Sequence, residues 1–298
     1  PDGFYSIRAQ ESYSNASSTI CRLLDILAGM NGNLCARWKS LNISIKPDQI
    51  WFGPPHNAPY PMSLTHPMPS LTRLRLVGFR TGPGATLFPA LPSIESIDLQ
   101  HCSPNNYPDM SHAKEIHLDD VRPWSTRIAF YELPQKLPVL ETLSVGGGML
   151  TVNLEEVLMP HLERLIVDFK LVGLVSGLIN LPILSQVRTL QLFGSKSSLI
   201  HRSDMAEPIS DLLRACTSMC TLTINDFILS LLLGDWKNWG HLFEGEEKSN
   251  TTRVFLCEEG DMDRWLNLEN EDTYVVLMHV ATKHHVRLPD EFYGGSVL

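Results

Sequence analysis

The chain has 298 residues, of which 43% are apolar and 19% charged, and its net charge is −9. That length suits two domains or one array of repeats better than a single core. The acidic balance, with a pI near 5.6, argues against a nucleic-acid backbone or an anionic membrane as the main partner, because each needs a basic face.

Residues 1–17 show no periodicity and read as an N-terminal leader. "SSTICRLLDILAGMNG" follows. Its serines suit a helix cap, Ile20, Leu23, Leu24 and Leu27 fall on one face, and Gly29 and Gly32 are stop signals. "WKSLNISI" then alternates as a strand does. From Met68 a phrase recurs: "MPSLTRLRL", "LPSIESIDL" from Leu91, "LPVLETLSV" from Leu137 and "MPHLERLIV" from Met159. Weaker copies are "AKEIHLDDV", "VRTLQLFG" and "MCTLTINDF". Marked by their central apolar residue, the units fall at Leu41, Leu74, Ile97, Ile116, Leu143, Leu165, Leu190 and Leu222, with spacings from 19 to 33 residues.

The alternation predicts one buried and one exposed strand face, and the proline ends the preceding connector. No unit can bury its apolar side alone, so the expected fold is α/β. It is a leucine-rich-repeat solenoid, or horseshoe, with a parallel concave sheet and helices or loops on the convex side. The connectors "VGLVSGLIN" and "PISDLLRACT" read as helices, and the Gly/Pro-rich residues 81–93 as a loop. The solenoid is expected over 18–227, as about eight irregular units.

Residues 228–298 are expected as an acidic C-terminal cap. From Asp226 onward there are 14 acidic and 6 basic residues, and Trp236, Trp239, Trp265 and Leu266 need burial. "TTRVFL" reads as a last strand, and "LLLGDWKNWGHLF", "MDRWLNL" and "TYVVLMHVATKHH" as helices.

Six cysteines at 21, 35, 102, 216, 220 and 257 lack the spacing of a disulfide scaffold. They read as buried free thiols in a reducing compartment, cytoplasmic or nuclear. Cys216 and Cys220 lack the second pair that a zinc site brings, so no metal and no cofactor is expected. "GGG" at 146–148 has neither the lysine nor the helix start of a phosphate loop and reads as a tight turn. No apolar run reaches the roughly 18 residues that span a bilayer.

"LLDILAGMNGNLCARWKSLNISI", with its Arg37-Trp38 pair, resembles the start of the leucine-rich region of fungal F-box proteins, above all those of mushroom-type fungi. The repeated Leu-Pro-x-Leu-Glu-x-Leu-x-Leu style is also theirs, and the resemblance covers roughly residues 1–227. It implies the substrate-recognition domain of an F-box-type ubiquitin ligase subunit. Two departures stand out. The family's repeat carries Asn or Cys three residues after the last strand leucine, and here only Cys102 does so. No F-box is found in the chain, so a link to the cullin–RING ligase adaptor holds only if that motif lies upstream of Pro1.

In the stacked arrangement the middle outward row reads Asn42, Arg75, Asp98, His117, Ser144, Ile166, Gln191 and Thr223. Asp98, His117 and Ser144 would stand in the order of an activated serine. A flat strand offers no nucleophile turn and no oxyanion hole, and Arg75 competes for Asp98, so a surface ladder is expected and not an enzyme. Charge gathers at Arg73, Arg75, Asp98, Glu115, His117, Asp119, Arg164 and Asp168. Mixed charge gives an interface register and partner choice. The expectation is a protein-binding concave face, with Arg73, Arg75, His117 and Arg164 as contacts beside these carboxylates and Phe193 as apolar anchor. The alternative is a leucine-rich scaffold or assembly subunit without a ligase role.

Overall fold

The repeated prolines do more than end a connector. In a computed structural model of the chain, Pro69, Pro92, Pro138 and Pro160 each occupy the second position of a β-turn. The turns are closed by Leu71 N–H to the Met68 carbonyl (3.1 Å), Ile94 to Leu91 (3.1 Å), Leu140 to Leu137 (3.3 Å) and Leu162 to Met159 (3.2 Å). Proline suits that position because its fixed φ matches the turn. The apolar residues on either side of each turn are buried. The turn therefore nails the chain into the core just before the strand begins. Ala113 closes the same turn on Met110 (3.0 Å), with Ser111 where the others have proline.

The structure describes residues 3–9, 13–45, 62–78, 88, 91–102, 108–119, 136–146, 158–169, 182–194, 202–233, 253–258, 261–267, 280 and 283. They belong to two compact units, Pro1–Leu162 and Glu163–Leu298. The connector "VGLVSGLIN", Trp236 and Trp239 lie outside the described residues, as does most of the loop at 81–93. The fold is α/β, a mainly parallel sheet with few helices, compatible with a solenoid-like arrangement.

The first unit holds β1 (Gly3–Ala9), α1 (Tyr13–Ala28), β2 (Trp38–Ile45), β3 (Arg73–Val77), β4 (Ser96–Gln100), β5 (Glu115–Asp119) and β6 (Thr142–Gly146). Each strand pairs parallel with the next in sequence order. The marker residues align as expected: Leu41, Leu74, Ile97, Ile116 and Leu143 are successive register partners. All five are buried, as are Ile43, Leu76, Leu99, Leu118 and Val145 two residues on. Each such side chain contributes about 1.5–3 kcal/mol by leaving water.

Residues 3–9 are not a leader. They form β1, with Tyr5 in register with Leu41 and its ring tilted against that of the buried Trp38, centroids 5.4 Å apart. The aromatic contact and the parallel ladder hold in place a segment that has no proline turn of its own. Helix α1 starts at Tyr13, so the serines of "SSTI" lie inside it and do not cap it. Ile20, Leu24 and Ala28 are buried one helical turn apart, and Gly29 ends the helix at a φ of 72°. Gly78 follows β3 at a φ of 65°, and its N–H donates to the Gln100 carbonyl (2.8 Å). A Cβ there would meet the Ile45 carbonyl oxygen at 2.2 Å, so only glycine fits.

The second unit holds β7 (Arg164–Phe169), β8 (Thr189–Gly194), α2 (Arg202–Ala215), β9 (Thr221–Asn225), α3 (Asp226–Leu233), β10 (Arg253–Glu258) and β11 (Asp261–Asn267). β7 to β10 are parallel in sequence order, and β11 returns antiparallel to β10. Leu165, Leu190, Leu222 and Val254 are register partners, so the strand array continues past residue 227 into the expected cap. "TTRVFL" supplies β10 as expected. "MDRWLNL" supplies β11 and not a helix, because pairing with β10 outweighs its helix-like spacing of apolar residues. α3 follows β9 without a loop, and all eight of its residues are buried, as befits a helix that is apolar nearly all round. Among the described residues no helix is long and apolar enough to cross a membrane.

Candidate binding face

Register places the outward residues of the first unit in three rows. Ser40, Arg73, Ser96, Glu115 and Thr142 form one, and Asn42, Arg75, Asp98, His117 and Ser144 the next. Ser44, Val77, Gln100, Asp119 and Gly146 form the third. Apart from Gly146 these residues are exposed or half-buried, against fully buried neighbours at the alternate positions.

Arg75 organises the middle of this face. Its Nε lies 3.2 Å from Asp98 Oδ2, and its Nη2 donates to Gln100 Oε1 at 3.5 Å. Gln100 Nε2 donates back to Asp98 Oδ2 at 3.3 Å. Asp98 Oδ1 is shielded from solvent and accepts no hydrogen bond from the protein. Burial pushes the Asp98 pKa up, against the opposing pull of Arg75, His117 and the Gln100 amide, while Asp119 adds to the rise. Arg73 lies over the Phe4 ring, 5.7 Å from its centroid. Reading residues 1–17 as a leader hides this cation–π contact from the sequence. The alternation in "FYSI" was the available signal.

Asp98, His117 and Ser144 are indeed register neighbours. The carboxylate, however, is held by Arg75 and Gln100, as the competition from Arg75 predicted.

The outward positions of the second unit differ. Arg164 is exposed and donates from Nη2 to Gln191 Oε1 at 3.1 Å, and Asp168 is half-buried. Phe193, expected as an exposed anchor, is buried at 8% exposure. Gln191, Thr223 and Asn225 on the same two strands are buried too. With Leu190, Leu192, Leu222 and Ile224 also buried, β8 and β9 are covered on both faces. An aromatic ring is stabilised by about 2–3 kcal/mol when so covered, which corrects the assignment of Phe193 to a contact surface.

Asn225 has a structural task. Its Nδ2 donates to the Gly194 carbonyl at 2.6 Å, and its Oδ1 accepts from Ile228 N–H at 3.1 Å, capping α3. Cys102 acts similarly in the first unit. Its thiol lies 3.2 Å from both the Leu76 and Gln100 carbonyls, so it ties one strand end to the next. Burial raises the Cys35 pKa to about 11 and the Cys216 pKa to about 12. Cys220 is exposed, not buried as expected, because it lies just beyond the turn from Cys216 to Met219. Among the described residues no group of three or more metal-ligating side chains occurs.

No family model, curated protein or solved structure matches the chain.

Proposed function

We propose that this chain is a protein-binding module of the leucine-rich-repeat type, with its partner seated on the exposed sheet face of the first unit. The observation that carries this reading is the register of charged outward residues on β3, β4 and β5 above a fully buried row. A rigid ladder presents those side chains with little freedom to lose on binding, and mixed charge selects a partner. Arg73, Arg75, Asp98, His117 and Asp119 line that face.

The resemblance of the Arg37-Trp38 region and the repeated phrase to fungal F-box proteins supports a finer reading: the substrate receptor of a ubiquitin ligase, working in the cytoplasm or nucleus. The charge of −9 favours a protein over a nucleic acid or a membrane. The pairing of Asp98 with Arg75 favours binding over catalysis.

The test is affinity capture with the wild-type chain and with Arg73→Trp/Glu115→Trp, which adds bulk at two exposed positions. Loss of the same partners from the variant, with an unchanged melting curve, supports the face. Equal recovery overturns it. An F-box encoded ahead of Pro1 decides for the ligase role over a plain scaffold.

A further inference from the structure

From β2 to β6 of the first unit, charge on the face is segregated by strand. β2 and β6 offer only neutral residues there, β3 carries Arg73 and Arg75, and β4 and β5 carry Asp98, Glu115 and Asp119 around His117. Strands are about 4.8 Å apart, and Asp98 lies opposite His117, so Glu115 and Asp119 are its diagonal neighbours on the next strand. The two arginines of β3 are already engaged, Arg73 on Phe4 and Arg75 on Asp98 and Gln100.

Arg75 holds Asp98 poorly for an arginine. It meets one carboxylate oxygen through Nε, and Oδ1 accepts nothing. An arginine satisfies a carboxylate best through two parallel hydrogen bonds. A buried acceptor without a donor is costly, and a group that supplies the donor recovers that cost. Arg75 is half exposed, at 50%, and its second contact is long, at 3.5 Å, so it can turn aside for a better-placed donor. Burial keeps the Asp98 carboxyl reluctant to ionise even with Arg75 and His117 beside it.

We propose that the partner presents a basic, arginine-bearing segment to this face, with one guanidinium displacing Arg75 to grip both oxygens of Asp98 while Glu115 draws the neighbouring positive charge. The inference rests on reading this face as a protein-binding surface. It differs from the expectation that the chain's own arginines make the leading contacts.

The test uses the full chain and three labelled extended peptides, alternating serine with arginine, lysine or glutamate, read by fluorescence anisotropy. The arginine peptide is expected to bind, the lysine peptide more weakly and the glutamate peptide least. Asp98→Asn/Glu115→Gln is expected to weaken the arginine peptide by about tenfold. Asp25→Asn/Asp211→Asn, which removes the same charge from α1 and α2, should leave it unchanged. Arg75→Gln frees Asp98 and should tighten binding, a gain that misfolding cannot produce. Preference for the glutamate peptide, equal losses from both double variants, or no gain from Arg75→Gln overturns the proposal. A partner that needs the face but survives Asp98→Asn/Glu115→Gln overturns this inference and leaves the binding function standing. A partner indifferent to Arg73→Trp/Glu115→Trp removes both.

Discussion

β3–β5 of the first unit and β8–β9 of the second share one pattern, apolar residues alternating with outward ones, yet only the first keeps its outward face open. The outward residues of β3–β5 are Arg73, Arg75, Val77, Ser96, Asp98, Gln100, Glu115, His117 and Asp119. Those of β8–β9 are Thr189, Gln191, Phe193, Thr221, Thr223 and Asn225, without a single charge. Covering a charge costs several kcal/mol unless it is paired, whereas Thr, Gln and Asn need only a hydrogen bond and Phe gains by burial. Alternation thus tells which residues enter the core, and the chemistry of the other row tells whether the second face is covered as well.

Substitutions can break that contrast. Phe193→Ala should have the largest effect, about 3–5 kcal/mol of stability, as expected of a buried ring. His117→Ala on the open face should stay within about 0.5 kcal/mol. Urea unfolding measures both, and comparable losses would mean that the two faces are alike. Asn225→Ala comes next. It removes the donor to Gly194 and the cap of α3, for about 1–3 kcal/mol, and hydrogen exchange should show α3 opening first. Cys102→Ala should cost about 1 kcal/mol by freeing the Leu76 carbonyl, and Cys102→Ser, which keeps a donor, should cost less in the same unfolding assay.

The smallest effect sharpens the electrostatics of the open face. Burial raises the Asp98 pKa in the folded chain. A carboxyl that binds its proton more tightly when folded makes stability fall as pH rises from the unfolded pKa through the folded one. Asp98→Asn has no such ionisation. Its melting temperature should match wild type in acid and exceed it at neutral pH, by an amount worth no more than about 1 kcal/mol. A gap of the opposite sign would show that the Arg75 pair outweighs the cost of burying the charge.

The marker residues from Leu41 to Leu222 were legible because apolar alternation, behind a turn-forming proline in four of the eight units, has one register that buries every leucine. Asp98 and Arg75 were legible as neighbours for the same reason. β1 was not, because "GFYSIRA" carries no proline turn and its partner strand lies more than thirty residues away in sequence. Met262, Trp265 and Leu266 have helical spacing, and only the edge that β10 provides makes them a strand. Asn225 falls two positions short of where the repeat rule points. The repeat rule looks for the side chain that ties adjacent turns three residues beyond the last strand leucine, whereas here it comes one residue after Ile224, because α3 begins at once.

β11 runs against β10. An array of parallel strands is by nature open-ended, since each finished strand is a template for another of the same kind, whether from its own chain or from a second molecule. Reversing the last of the described strands works as a chain terminator does in a polymerisation. The head-to-tail stacking rule that added β8, β9 and β10 finds no parallel template of its own sense at that edge. Without the reversal, the units of separate molecules would have a standing route to fibre growth by the same heterologous contact that builds each one.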